Sequence, residues 1–227
     1  MTIVPPSSTS VLKLSAFQRW LSTAPPFVFA LYGGLVAFGA YFAMYAYRKP
    51  FAVASYADIS ALGFNFTVDY KIALVITQVF GYALSKVIGV KFISELPGRY
   101  RALAILLLIG FAELTLVAFA LVPAPYNILC LFFNGLALGL IWGLVFGFLE
   151  GRRVSEILGS ILCASFIVSS GVVKSVGKWV MLQNHVSIFG ANEFWMPAMT
   201  GLLFAPLLLI CVLGLAQLPP PSAEDEA

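Results

Sequence analysis

Apolar runs of about 20 residues recur six times along this chain, and each is long enough to cross a ~30 Å hydrocarbon layer as a helix. They place spans at 27–47, 70–93, 101–122, 126–149, 156–179 and 194–217. Inside hydrocarbon every backbone polar group needs an internal partner, which leaves helices and closed barrels. The sustained apolar/polar alternation of barrel strands is absent. The sequence therefore predicts an all-α membrane protein with a six-helix transmembrane bundle over 26–217. Only 10% of the 227 residues are charged and 61% are hydrophobic, against roughly 25% charge in soluble domains. The net charge of +3 is then a matter of loop placement, and no nucleic-acid partner is expected. The lipid bilayer is the first expected partner.

Residues 1–25 read as a cytoplasmic N-terminal segment without the early apolar core of a signal peptide. Ser22-Thr23-Ala24-Pro25-Pro26 is a helix-start signal. Before it, Leu12, Phe17, Trp20 and Leu21 beside Lys13 and Arg19 make either a helix on the membrane surface or a flexible tail. Lys13, Arg19, Lys91, Arg99, Arg101, Arg152 and Arg153 fall on one side of the spans, and Arg48, Lys49, Lys71 and Lys178 on the other. The excess of basic residues puts both termini in the cytoplasm, with the plasma (inner) membrane as the expected location. Residues 218–227, proline-rich and then acidic, read as a cytoplasmic tail or the start of a linker to a further body.

The charges inside the spans carry the functional signal. An ammonium at bilayer depth costs at least about 2.5 kcal/mol on insertion scales, so such a residue usually faces a bundle interior or a wet cavity. Lys86 is the clearest case. It lies nine residues before Glu95, about 13 Å along a helix, so snorkelling toward the surface is the alternative. Tyr41, Tyr45 and Arg48 share a helical face at i, i+4, i+7, and Gln78, Tyr82, Ser85 and Gly89 do the same with Lys86 adjoining. Ser170, Lys174 and Lys178 form a third polar stripe. Arg48 and Lys49 read either as interface anchors or as part of a site. Glu113, near the middle of the third span, either pairs with a buried cation or carries a proton. The fourth span has Gly135, Gly139, Gly143, Gly147 and Gly151 at four-residue spacing, a pattern that lets helix backbones approach closely in lipid.

Enzyme chemistry has little support. Cys130, Cys163 and Cys211 lack metal or redox spacing and read as small packing residues. His185, the single histidine, has no Ser-His or metal constellation around it. No catalytic residue, metal or cofactor is expected.

Two local motifs resemble those of a known family. Tyr41-Phe42-Ala43-Met44-Tyr45-Ala46-Tyr47-Arg48-Lys49-Pro50-Phe51 resembles the first-helix motif of the organophosphate:phosphate antiporter branch of the major facilitator superfamily. Gly81-Tyr82-Ala83-Leu84-Ser85-Lys86-Val87-Ile88-Gly89 resembles its second helix. The resemblance implies a major-facilitator-like half bundle, with Arg48 binding a substrate phosphate and Lys86 beside it. The superfamily's acid-and-base loop between helices two and three is represented by Ser94-Glu95-Leu96-Pro97-Gly98-Arg99-Tyr100-Arg101, with Glu95 in place of Asp. Glu95, Arg99 and Arg101 are expected at an inner gate. As the spans are drawn, Arg48 and Lys86 reach a common depth only if the first continues through Phe51-Ala52-Val53-Ala54. The superfamily has twelve helices in two halves, so a second six-helix half is the expected partner, from the same gene, a second subunit or a homodimer.

The leading expectation is a transporter, or the N-terminal half of one, for a small organic anion, a phosphate ester among the candidates. Arg48 and Lys86 would hold the anion, while Tyr41, Tyr45, Tyr82 and Gln78 would orient the rest of the ligand. Glu113 and Lys174 are candidates for coupling or structural charges. The rival expectation is a non-transporting scaffold, sensor or assembly subunit on the same fold.

Overall fold

The computed structural model describes residues 15–56, 59–61, 68–152, 154–183 and 192–220. The expectations placed on Lys13, Arg153, His185 and the acidic tail lie outside the described residues. Among those described, the helices are α1 (Ala16–Ser22), α2 (Pro26–Met44), α3 (Tyr70–Glu95), α4 (Gly98–Leu121), α5 (Ile128–Phe146), α6 (Ser155–Leu182) and α7 (Asn192–Ala216). All but α1 are long and apolar enough to cross a membrane. The chain is an all-α, multi-pass membrane protein.

Local chemistry sets the ends. In the segment before α2 the helix has formed. Ser15 and Gln18 build a reciprocal capping box at the start of α1, satisfying donors that no earlier turn can accept. α1 docks on the end of α7, where the Ser15 hydroxyl donates to Gln217 Oε1 at 3.2 Å and Gln18 Nε2 to the Ala216 carbonyl at 3.4 Å. Pro26 opens α2 at a position that needs no N–H. α2 does not run on as an α-helix through Phe51–Ala54. It gives way to 3-10 turns at Tyr45–Tyr47 and Pro50–Val53, because Pro50 can neither donate to a continuing ladder nor fit its preceding turn. Asp69 closes a two-residue antiparallel ladder, Ser60–Ala61 with Val68–Asp69. Its carboxylate then accepts the Lys71 N–H at 2.8 Å and caps α3.

Packing interlaces the bundle. α5 lies against α3 and α4, while α2 lies against α6 and α7, and α4 meets α7. Thus the first span of each consecutive triplet packs on the second and third spans of the other. Consecutive α2 and α3 hardly touch. The α3–α5 contact is the closest, because the glycines bring the two backbones together. A Cβ on Gly135 would collide with the Gln78 carbonyl, and one on Gly81 with that of Phe132. Gly139 and Gly143 continue the row against Ser85 and Ile93, and Gly147 takes Arg101. Gly151 leaves the row and adopts a positive φ of 73° in the turn before α6, a conformation glycine takes without steric penalty. The three cysteines are free thiols, and Cys211 fits against Gly39.

Candidate functional site

Because α2 and α3 diverge while α5 stays against α3, a cavity of about 770 Å³ opens among α2, α3 and α5, with Phe166 of α6 on its wall. One end is built from Tyr41, Tyr45 and Arg48 of the first span and Tyr82, Ser85 and Lys86 of the second. The other end reaches Ser94, Arg101 and Glu150.

Tyr82 is the centre of the cationic end. The Arg48 guanidinium carbon lies 3.9 Å from its ring centroid and the Lys86 ammonium 4.9 Å from it. Lys86 is also 5.2 Å from the Trp142 ring, so its charge rests between two aromatic faces. Such contacts contribute about 0.5–2 kcal/mol each, more as water is excluded. The Tyr82 and Tyr41 hydroxyls are 3.5 Å apart. Phe166 backs Tyr41 and Tyr45 at centroid separations of 4.8 and 6.2 Å. Among the described residues no carboxylate forms an ion pair with Arg48 or Lys86.

Gln78 does not line this cavity. Its side-chain amide donates to the Arg48 carbonyl at 3.1 Å and to Asn134 Oδ1 at 2.8 Å, and Asn134 Nδ2 donates to the Ala112 carbonyl at 3.3 Å. This buried chain of amides ties the end of α2 to α3, α5 and α4. It fixes the backbone from which Arg48 projects, so Gln78 acts as a support where a ligand-orienting group was expected.

The expected gate residues separate. Arg101 reaches the cavity and donates to the Gly147 carbonyl. Arg99 is exposed, 4.6 Å over the Tyr100 ring, and lines a second cleft of about 590 Å³ with Arg101, Arg152 and Pro219. Glu95 is exposed at the end of α3, and among the described residues it makes no ion pair with either arginine. Arg152 closes that cleft, donating to the Phe148 carbonyl at 3.2 Å and the Pro219 carbonyl at 2.5 Å.

Glu113 does not line the cavity. Both carboxylate oxygens are buried without a hydrogen-bond partner, and Oε2 lies where a side chain on Gly201 of α7 would begin. The expected pairing with a buried cation does not form among the described residues. Lys174 is exposed on α6, outside the cavity. Trp142, Phe166, Asn134 and Glu150 were not singled out from the sequence. Asn134 alone carried a signal, as an amide within the fourth apolar run.

The chain belongs to a family of unknown function, DUF5690, whose model matches residues 50–227. That match covers α3 to α7, including Tyr82 and Lys86, and begins two residues after Arg48. No curated protein and no solved structure matches the chain.

Proposed function

We propose that this member of the family is a membrane transport module for a small organic anion, with phosphate esters as the leading substrate class. One observation carries the reading: Arg48 and Lys86, from different membrane spans, share the Tyr82 ring in a cavity where no carboxylate among the described residues pairs with either. Arginine offers a planar fork suited to bidentate phosphate or carboxylate binding, and lysine adds a compact charge beside it. Tyr41, Tyr45 and Tyr82 supply hydroxyls around the bound group, and Trp142 and Phe166 give its carbon skeleton apolar walls.

The interlaced triplets support the same reading. Three antiparallel spans invert the direction of the next three, and many secondary transporters are built from inverted repeats with the substrate held near the repeat interface. The resemblance of the Arg48 and Lys86 motifs to the organophosphate:phosphate antiporter branch of the major facilitator superfamily points to the same chemistry. In this proposal a second six-helix body covers the open side of the cavity, and rocking between the two bodies alternates access. Both termini are cytoplasmic, so the Arg101–Glu150 end of the cavity faces inward.

Purified protein in nanodiscs tests the site. Inorganic phosphate and glycerol 3-phosphate are expected to raise the melting temperature of the wild type, and Lys86→Gln to lose most of that shift. A wild type indifferent to both anions would instead favour a scaffold or assembly role.

A further inference from the structure

The chain just past α2 and the facing part of α6 together hold three cations, Arg48, Lys49 and Lys174. The 3-10 turn Pro50–Val53 presses on α6, where a Cβ placed on Gly177 would meet the Pro50 Cβ at 3.1 Å. Lys174 lies about one helical turn before Gly177, and Lys49 immediately precedes Pro50, so this contact sets the two lysine positions side by side, near enough for the Lys174 charge to act on Lys49. Lys49 is half-buried. Its ammonium is held below the usual lysine range by burial first, then by Arg48 and by Lys174.

Like charges gathered in a partly desolvated place repel one another strongly, and proteins normally answer them with acids. Among the described residues, two acids at this end of the helices have other partners. Asp69 caps α3. Glu193, at the start of α7, accepts from the Ser55 hydroxyl at 3.2 Å and the Tyr56 N–H at 3.1 Å. Among the described residues neither forms an ion pair with Arg48, Lys49 or Lys174. Lys49 and Lys174 are not part of the cavity lining, and only Arg48 belongs to both groups.

We propose that Lys49 and Lys174, with Arg48 behind them, form a second anion site outside the cavity that takes a phosphate group. The three lysine N–H donors at each ammonium match the several acceptor oxygens of a phosphate. Two sources offer that chemistry: the headgroup of an anionic lipid, or a free phosphate or phosphate ester at the membrane face. The site shares Arg48 with the cavity but uses neither Lys86 nor Tyr82, so changes at Lys86 and at Lys174 tell the two apart.

The experiment uses the full chain carrying Lys86→Gln, which removes the cavity's lysine, in nanodiscs of phosphatidylcholine alone or with added phosphatidylglycerol. Melting is followed with and without inorganic phosphate. Stabilisation by phosphate in the phosphatidylcholine discs assigns the free ion, and stabilisation by phosphatidylglycerol alone assigns the lipid. In either case Lys174→Gln is expected to weaken the effect about tenfold, as the loss of one charge-assisted hydrogen bond does, and Lys174→Arg to restore much of it. Lys174 is exposed, so these changes leave the packing intact. The site is overturned if the Lys86→Gln chain responds to neither phosphate nor phosphatidylglycerol, or if Lys174→Gln and Lys49→Gln leave the response unchanged. If the wild type and Lys86→Gln respond alike while Lys174→Gln does not, the cavity reading fails and this one stands.

Discussion

The Arg48 guanidinium stacks on the Tyr82 ring at 3.9 Å, and the same ring touches the Lys86 ammonium at 4.9 Å. A single tyrosine thus aligns two cations that come from helices with little other contact.

Stacking of this kind uses the flat face of a guanidinium, which an ammonium lacks. Arg48→Lys keeps the charge but is expected to weaken phosphate binding about tenfold, the loss of roughly 1.4 kcal/mol. Calorimetric titration of nanodisc-held protein measures this, and an unchanged affinity would remove Arg48 from the cavity site.

Gln78 supports that arginine from behind through its bond to the Arg48 carbonyl. Replacing it by leucine leaves the Arg48 carbonyl and the Asn134 amide oxygen short of a donor in a buried setting. Gln78→Leu is expected to destabilise the fold by about 1–3 kcal/mol and to weaken anion binding without touching the anion. Both are read from melting curves with and without phosphate. A loss of stability with full phosphate affinity would show that the amide chain does not position Arg48.

The α3–α5 crossing leaves no room at Gly135 for even a methyl group. Gly135→Ala is expected to push the helices apart and destabilise by about 1–3 kcal/mol, the usual penalty of overpacking. Gly110→Ala, where a Cβ meets nothing within 4 Å, serves as the control in the same melting series. Equal melting temperatures for the two would contradict the close approach.

Lys49 supplies a pH signature. Burial first, then Arg48 and Lys174, hold its folded value below the ordinary lysine value, at which the unfolded chain titrates. Between the two the unfolded state binds more protons, so stability rises with pH in that window. At neutral pH both states are protonated, and the fold bears the whole strain of a half-buried ammonium beside Arg48 and Lys174. The wild-type melting temperature is therefore expected to approach that of Lys49→Gln as pH is raised toward the ordinary lysine value. A gap that stays constant across that range would exclude Lys49 as its source.

The six spans were legible because apolar length is counted directly from the sequence. Their ends were less so. α4 begins at Gly98 rather than 101, directly after Pro97, and α6 continues to Leu182 rather than 179. Apolar composition does not register either boundary. Periodicity correctly joined Tyr41, Tyr45 and Arg48 on one face, and Tyr82 with Lys86 on another. It placed Gln78 on the second face too, yet Gln78 turns to Asn134. A stripe along a helix is wide enough to meet two neighbours, and spacing alone does not say which residue meets which. Trp142 and Phe166 were hidden for a related reason: an aromatic in an apolar run looks the same whether it faces lipid, core or a cation.

The interlacing of the two triplets also orders the making of the protein. α3, α4 and α5 find their mutual contacts as soon as the last of them leaves the ribosome. α2 is synthesised earlier than any of them, yet its main neighbours, α6 and α7, arrive at the end. The helix that leads to Arg48 must wait in the membrane, largely unpacked, while the other half of its cavity is already assembled. The cationic end of the cavity is therefore the last part of the molecule to take shape, and an interrupted chain ending after α5 would hold the glycine-packed unit without a finished cavity.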